Sequence, residues 1–186
     1  MPDDSAIQIV YAPQQIVGYH GCEMSTARRL LEGEPFRLSA NDYDWLGSGT
    51  YFWEYAPIRA RGWAKQRFGG NWAVLQATIN LGDCLNLLDT DYFEDLRAVH
   101  TELLNSFRDL GLTPPMNNKG ANRLDRMIVD RFSQVYQARD NRFDTVRGCF
   151  QEGQPIFAGS RLYSHNHVQI AVRNMDCIQT LHLVKY

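Results

Sequence analysis

A chain of 186 residues, 44% of them apolar and 22% charged, is long enough for one domain with its own hydrophobic core. Its net charge of -2 excludes a global electrostatic pull toward nucleic acid or an anionic membrane, so any polyanion must be met by a local basic patch. No apolar run approaches the roughly 20 residues that span a bilayer. The acidic start Met-Pro-Asp-Asp-Ser lacks the basic flank and apolar stretch of a signal peptide, so the expectation is a cytoplasmic protein with no membrane partner.

In chain order, "QIVGYHG" (15–21) predicts a short strand ending at a glycine. "STARRLLEGEPF" predicts a helix started by Ser/Thr and stopped at Gly33. "LSANDYDWLGSG" is a polar loop, and "TYFW" a strand. Pro57 suits the first turn of a helix running to about Phe68, closed by Gly69-Gly70. "WAVLQATINLG" (72–82) alternates as a core strand, and "DCLNLLD" continues it past a turn.

Tyr92, Leu96, Val99, Leu103, Phe107 and Leu110 recur at helical spacing and predict an amphipathic helix over 91–110. After a loop at 111–122, Leu124, Met127, Ile128, Phe132 and Val135 mark a second helix. "TVRGCF" (145–150), "VQIAV" (168–172) and "CIQTLHLV" close the chain as strands. The order predicts a single α+β domain over 1–186 with mainly antiparallel pairing.

The cysteines, Cys22, Cys84, Cys149 and Cys177, are widely spaced and read as reduced, mostly buried thiols. The pair His165-x-His167 has no acidic or thiol partner nearby in sequence, so no metal is expected. There is no P-loop, no H-E-x-x-H and no G-x-S-x-G.

"GSGTYFW" (47–53) sets a flexible turn directly before a rigid aromatic strand. As a Gly-x-Gly it lacks the third glycine of a dinucleotide fingerprint and precedes a strand, which disfavours Rossmann binding. Taken alone, it is loop punctuation, and His20 in "YHG" is a structural hydrogen-bonding residue. Together with "HVQIAV", in this order, the pieces resemble the ADP-ribosyltransferases of the diphtheria-toxin and poly(ADP-ribose) polymerase type, which carry a His-Tyr-Glu signature. His20-Gly21 resembles the first motif and Gly47-Ser48-Gly49-Thr50-Tyr51-Phe52 the second; "VLQATINLGDCLNLLD" is similar to the family's following core strand. The resemblance covers about 15–90 and 145–186, with 91–140 as a helical elaboration.

The resemblance implies an ADP-ribosyltransferase fold, a split antiparallel sandwich with an NAD cleft between two small sheets and peripheral helices. It implies that Tyr51 stacks on the nicotinamide, that the Gly21 backbone pairs with its amide, and that His20 bonds the adenosine ribose. Gly49 would allow close approach of the ligand. An aromatic face suits such a cationic ring, by stacking and cation–π attraction.

Three departures stand out. Gln169 occupies the place of the catalytic glutamate and cannot carry its charge or act as general base. Glu152, in the loop before it, is the candidate for the missing carboxylate. No serine near Arg59 or Ala60 matches the family's nicotinamide-binding serine, and Cys22 replaces the small hydroxyl after His-Gly.

Residues 56–70 carry Arg59, Arg61, Lys65 and Arg67 without an acid, a patch suited to the NAD pyrophosphate, a nucleic-acid acceptor or an acidic inhibitor, or else an ordinary solvated face. Arg123, Arg126, Arg131, Arg139, Arg142 and Arg147 form a second basic region, diluted by Asp125, Asp130, Asp140 and Asp144. Trp53 and Trp63 are read as core.

The expected activity is mono-ADP-ribosyl transfer from NAD, without metal, to a macromolecular acceptor. RNA or other nucleic acid is favoured slightly over protein. The resemblance implies a toxin or phage-defence setting with a neutralising antitoxin or immunity protein. The alternatives are a pseudoenzyme that binds NAD or ADP-ribose, an NAD-dependent RNA 2′-phosphotransferase, and a small protein-binding domain.

Overall fold

The protein is described by a computed structural model over residues 14–39, 41–118, 120–138 and 142–186. The acidic start, Arg139 and Asp140 lie outside the described residues. Among the described residues nine strands and four α-helices follow in the order β1 (Gln15–Glu23), α1 (Met24–Leu31), β2 (Thr50–Glu54), α2 (Pro57–Phe68), β3 (Trp72–Asn80), β4 (Cys84–Asn86), α3 (Phe93–Asp109), β5 (Asn117–Asn118), β6 (Ala121–Asn122), α4 (Arg123–Gln137), β7 (Thr145–Phe150), β8 (His167–Val172) and β9 (Ile178–Leu183). Among the described residues no helix is long and apolar enough to cross a membrane.

The expected pair of small sheets is instead one seven-stranded sheet, ordered β4-β7-β8-β2-β1-β3-β9, beside a separate β5-β6 hairpin. Its pairings are antiparallel except β4 with β7. The sheet thins at one place. β1 and β2 share only the pairs Gly18↔Glu54 and Tyr19↔Trp53, after which His20–Glu23 pair with β3 alone and Thr50–Phe52 with β8 alone. The halves stay joined at those two rungs while the edges beyond them part.

Four apolar clusters hold the layers together. Phe52, Ile79, Ile170 and Val172 form the centre of one face, and α1 extends it by laying Ala27 and Leu30 on Cys22, Ala73 and Leu75. On the other face α2 sets Ala60 and Ala64 against Trp53 and Val74. The α3–α4 pair covers Leu46, Leu85, Val146 and Ala171 with Val99, Ile128, Val129 and Phe132. The elaboration is therefore an integral core layer, not an appendage.

Several local expectations are corrected. β1 does not stop at Gly21, because Gly21, Cys22 and Glu23 continue the ladder opposite Val74, Ala73 and Trp72. Ser25 and Thr26 do not cap α1. The cap position is Glu23, without a side-chain bond, and Thr26 inside the first turn accepts from Arg29 instead. The predicted loop at 111–122 contains the β5-β6 hairpin, whose Asn117 side chain accepts the amides of Leu124 and Asp125 and so caps α4 from outside the helix. The continuation at 84–89 is a strand only over β4.

Candidate functional site

The gap between β1 and β2 opens into a cleft of about 700 Å³. His20, Gly21, Tyr51, Arg59, Glu152 and Gln169 all line it. β1 supplies the first two, β2 the third, α2 the fourth, and β8 with its preceding loop the last two. Ser39, Asn41, Tyr43, Asp44 and Trp45 form a roof over the cleft, tied at its base by the bridge Ser39↔Gly49.

His20 sits where the β1–β2 ladder gives out, and its imidazole replaces the missing rung. Nδ1 lies 2.9 Å from the Tyr51 carbonyl oxygen, which only accepts, so Nδ1 carries the proton. Burial beside Phe36 and Phe52 holds its pKa below the usual 6.5, against the opposing pull of that carbonyl. The neutral ring thus keeps Nε2 as an acceptor for a ligand hydroxyl.

Tyr51 is held at its hydroxyl end by the turn of "GSGTYFW". Its hydroxyl donates to the Gly47 carbonyl at 2.7 Å and accepts from the Leu46 amide at 2.9 Å. The turn grips the far end of the ring and fixes its plane along the cleft wall, while burial drives its pKa upward. Gly47 takes φ +78, where a Cβ would also meet Arg173 and Asp130.

Gly49, expected to allow close approach of the ligand, is not among the residues that line the cleft. Its missing Cβ makes room for β8, since one built there would lie 2.9 Å from Ala171 Cβ. Gly21 lines the cleft, but its lack of a side chain is explained by α2, whose Ala60 carbonyl oxygen would lie 2.9 Å from a Cβ.

The candidate carboxylate is already engaged. Arg59 Nη2 donates to Glu152 Oε2 at 2.8 Å. His167 lies 3.9 Å from the same oxygen, yet its Nδ1 is bonded to the His165 carbonyl and burial lowers its pKa, so it stays neutral at pH 7. His165-x-His167 is thus a turn device.

Only part of the α2 patch faces the cleft. Arg59 and Trp63 fall on one stripe with Gln66 and Arg67, which line a smaller recess continuing past Trp63 and Tyr43. Arg61 and Lys65 turn away and lie over the rings of Tyr186 and Trp72. Trp53 is core, as expected, but it lines the cleft as well, and Trp63 does the same half-buried. The second basic region is largely neutralised. Arg123 pairs with Asp42, Arg126 with Asp130, Arg131 with Glu102, and Arg147 with Glu54 in a two-pronged contact of 2.7 Å on each side.

Two acids not expected at the site help build it. Asp44, 3% exposed, lines the cleft and accepts the Ser39 hydroxyl and the Asn41 amide, which sets the shape of the roof. Burial raises its pKa. Asp130, on α4, accepts both the amide and the hydroxyl of Ser48 and pairs with Arg173, so it clamps the turn from behind. Nothing in "NDYD" or in the helical spacing of 124–135 separates these acids from solvated ones.

The histidines give a pH prediction. His20 and His167 take up protons near pH 6.5 in the unfolded chain but resist them when folded. The unfolded state then binds more protons, so stability is full above about pH 6.5 and falls as pH drops toward the depressed folded values. Asp44 acts in the opposite sense, in the range above ordinary carboxylates. A lower thermal midpoint at pH 5.5 than at pH 7.5 is expected, and His20→Gln combined with His167→Gln should flatten the difference. An equal slope in that variant would exclude these groups as its source.

No protein-family model matches this sequence, and comparison with curated proteins returns no match.

Proposed function

We propose that the protein is an NAD-dependent mono-ADP-ribosyltransferase and that the β1–β2 cleft holds NAD. The observation that carries this reading is the convergence of His20, Gly21, Tyr51 and Gln169, distant in sequence, on one cleft. The neutral His20 accepts a hydroxyl of the adenosine ribose, and Tyr51, fixed at its hydroxyl end, offers its face to the nicotinamide ring. Gln169 bonds a hydroxyl of the nicotinamide ribose.

Arg59 is the cation within the cleft best suited to the pyrophosphate. Because it is paired with Glu152, NAD and Glu152 compete for it, and a bound pyrophosphate would release the carboxylate toward the acceptor. Catalysis of this kind is orientation and electrostatics. The reading carries with it a cytoplasmic toxin or defence effector and a neutralising partner.

The test is transfer from NAD labelled on its adenylate portion into separated protein, DNA and RNA, with nicotinamide release measured in parallel. Gln169→Glu is expected to raise NAD hydrolysis by roughly a hundredfold, the low end of the range for a correctly placed acid or base. An unchanged rate would remove residue 169 from the nicotinamide ribose. Gln169 and the Arg59–Glu152 pair also favour a second reading, a binding protein without chemistry. NAD binding without nicotinamide release, in the native chain and in Gln169→Glu alike, would establish that one instead.

A further inference from the structure

A second cavity, of about 480 Å³, lies between α3, α4 and β7. We propose that it is the acceptor subsite and that it receives a nucleobase-type heteroaromatic ring; the inference rests on NAD occupying the neighbouring cleft.

Its position is the first argument. Trp45 lines both cavities. On the sheet, Gly148 in this cavity pairs directly with Gln169 in the cleft. Paired residues on adjacent strands lie roughly 5 Å apart. A ring held here therefore sits one strand from the sugar that Gln169 would touch.

The lining is the second argument. Trp45 and Phe150 meet edge to face at 4.5 Å, with Phe93, Leu96 and Leu124 among the other walls. Aromatic and aliphatic walls of this kind take flat rings by stacking. Arg97, His100 and Asp125 supply donors and an acceptor. That mixed set suits the edge of a heterocycle better than a single charged group. The volume lies within the usual range for small-molecule sites.

Charge is the third argument. Arg97 pairs with Glu94, Arg123 with Asp42 and Arg131 with Glu102. A helical surface so neutralised does not track a phosphate backbone, so recognition falls on the ring. The ring can belong to a free nucleotide or to an unpaired base in a single strand.

In the transfer, a nitrogen of the ring forms a bond to C1′ of the nicotinamide ribose. The bond from C1′ to the nicotinamide nitrogen breaks, and its electron pair neutralises that nitrogen as nicotinamide leaves. The proton lost by the acceptor nitrogen passes to water or to the Glu152 carboxylate. Water attacks the same carbon when the subsite is empty.

The experiment offers adenylate-labelled NAD to the four ribonucleoside monophosphates, a short single-stranded RNA, a single-stranded DNA and a protein extract, in separate reactions. Label on a base is expected; mononucleotides that react identify a free nucleotide, and label on oligonucleotides alone identifies a strand. Leu96→Trp fills the cavity from α3, and His100→Ala removes an edge contact from a half-buried surface position. Each is expected to lower the ratio of labelled acceptor to released nicotinamide, at least tenfold for Leu96→Trp and several-fold for His100→Ala. Nicotinamide release with label on protein alone, or unchanged ratios in both variants, would overturn the acceptor assignment and leave the NAD reading standing. Neither release nor NAD binding by the native chain would overturn both.

Discussion

Tyr51→Ala and His20→Ala are each expected to lower transfer from NAD by about a hundredfold or more, the loss that follows when a reacting group is displaced by about 1 Å. Tyr51 contributes a face and an anchor, and the variants separate them. Alanine removes both. Tyr51→Phe keeps the face but leaves the buried Leu46 amide and the Gly47 carbonyl without their hydroxyl partner, at a cost of about 1–3 kcal/mol for each group left unpaired. The phenylalanine variant should therefore be destabilised in thermal unfolding yet keep most of its kcat, with a raised KM for NAD. His20→Ala opens a hole beside Phe36 and Phe52 and unties the Tyr51 carbonyl. His20→Gln offers a bonding side chain of different reach and should recover stability more than activity. Retained transfer in both alanine variants would exclude the β1–β2 cleft as the NAD site. Equal loss in Tyr51→Phe and Tyr51→Ala would mean that the anchor, not the ring face, is what the reaction needs.

What the sequence made legible follows from where the information lies. Strands and helices with a buried stripe announced themselves: Leu96, Val99 and Leu103 by helical spacing, Trp72–Asn80 by alternation, α2 by Pro57 and its glycine stop. The resemblance singles out His20, Tyr51 and Gln169 by motif, and the fold brings these three to the lining of one cleft. The thinning of the sheet at β1–β2 could not be read from the sequence, since strand pairing depends on partners far along the chain and no local residue marks the last shared rung.

The second basic region is only partly legible for a related reason. A run of arginines records charge, but Asp42, Glu54 and Glu102, which neutralise Arg123, Arg147 and Arg131, come from elsewhere in the chain. Glu152 is a candidate carboxylate by position in the sequence, and its tie to Arg59 depends on how the β7–β8 loop lies against α2. The glycines at 21 and 49 are visible in the sequence, but not that Ala60 and Ala171 leave no room for a Cβ there. In each case the residue type was visible and its partner was not.

Asp130→Ala should be among the most destabilising single changes near the cleft, although residue 130 does not itself line it. The substitution strips Ser48 of two hydrogen-bond acceptors and leaves Arg173, 16% exposed, without its carboxylate. Burial already depresses the pKa of that guanidinium, so its charge is costly even when paired. Removing one partner of a buried pair costs roughly 3–5 kcal/mol; Asp130 is 24% exposed, which points to the lower end, about 3 kcal/mol. For a chain of this size that corresponds to a fall of roughly 6–12 °C in thermal midpoint. Asp130→Asn keeps an oxygen for the Ser48 amide and should lose less. The decisive comparison is Asp130→Ala with Arg173→Met added. If the orphaned cation dominates, the double variant is more stable than Asp130→Ala alone, while its KM for NAD stays high because the Gly47-Ser48-Gly49 turn is still unclamped. If the double variant is instead the less stable of the two, Arg173 holds the turn through its bond to the Leu46 carbonyl independently of its charge, and Asp130 is a support for the arginine rather than for the turn.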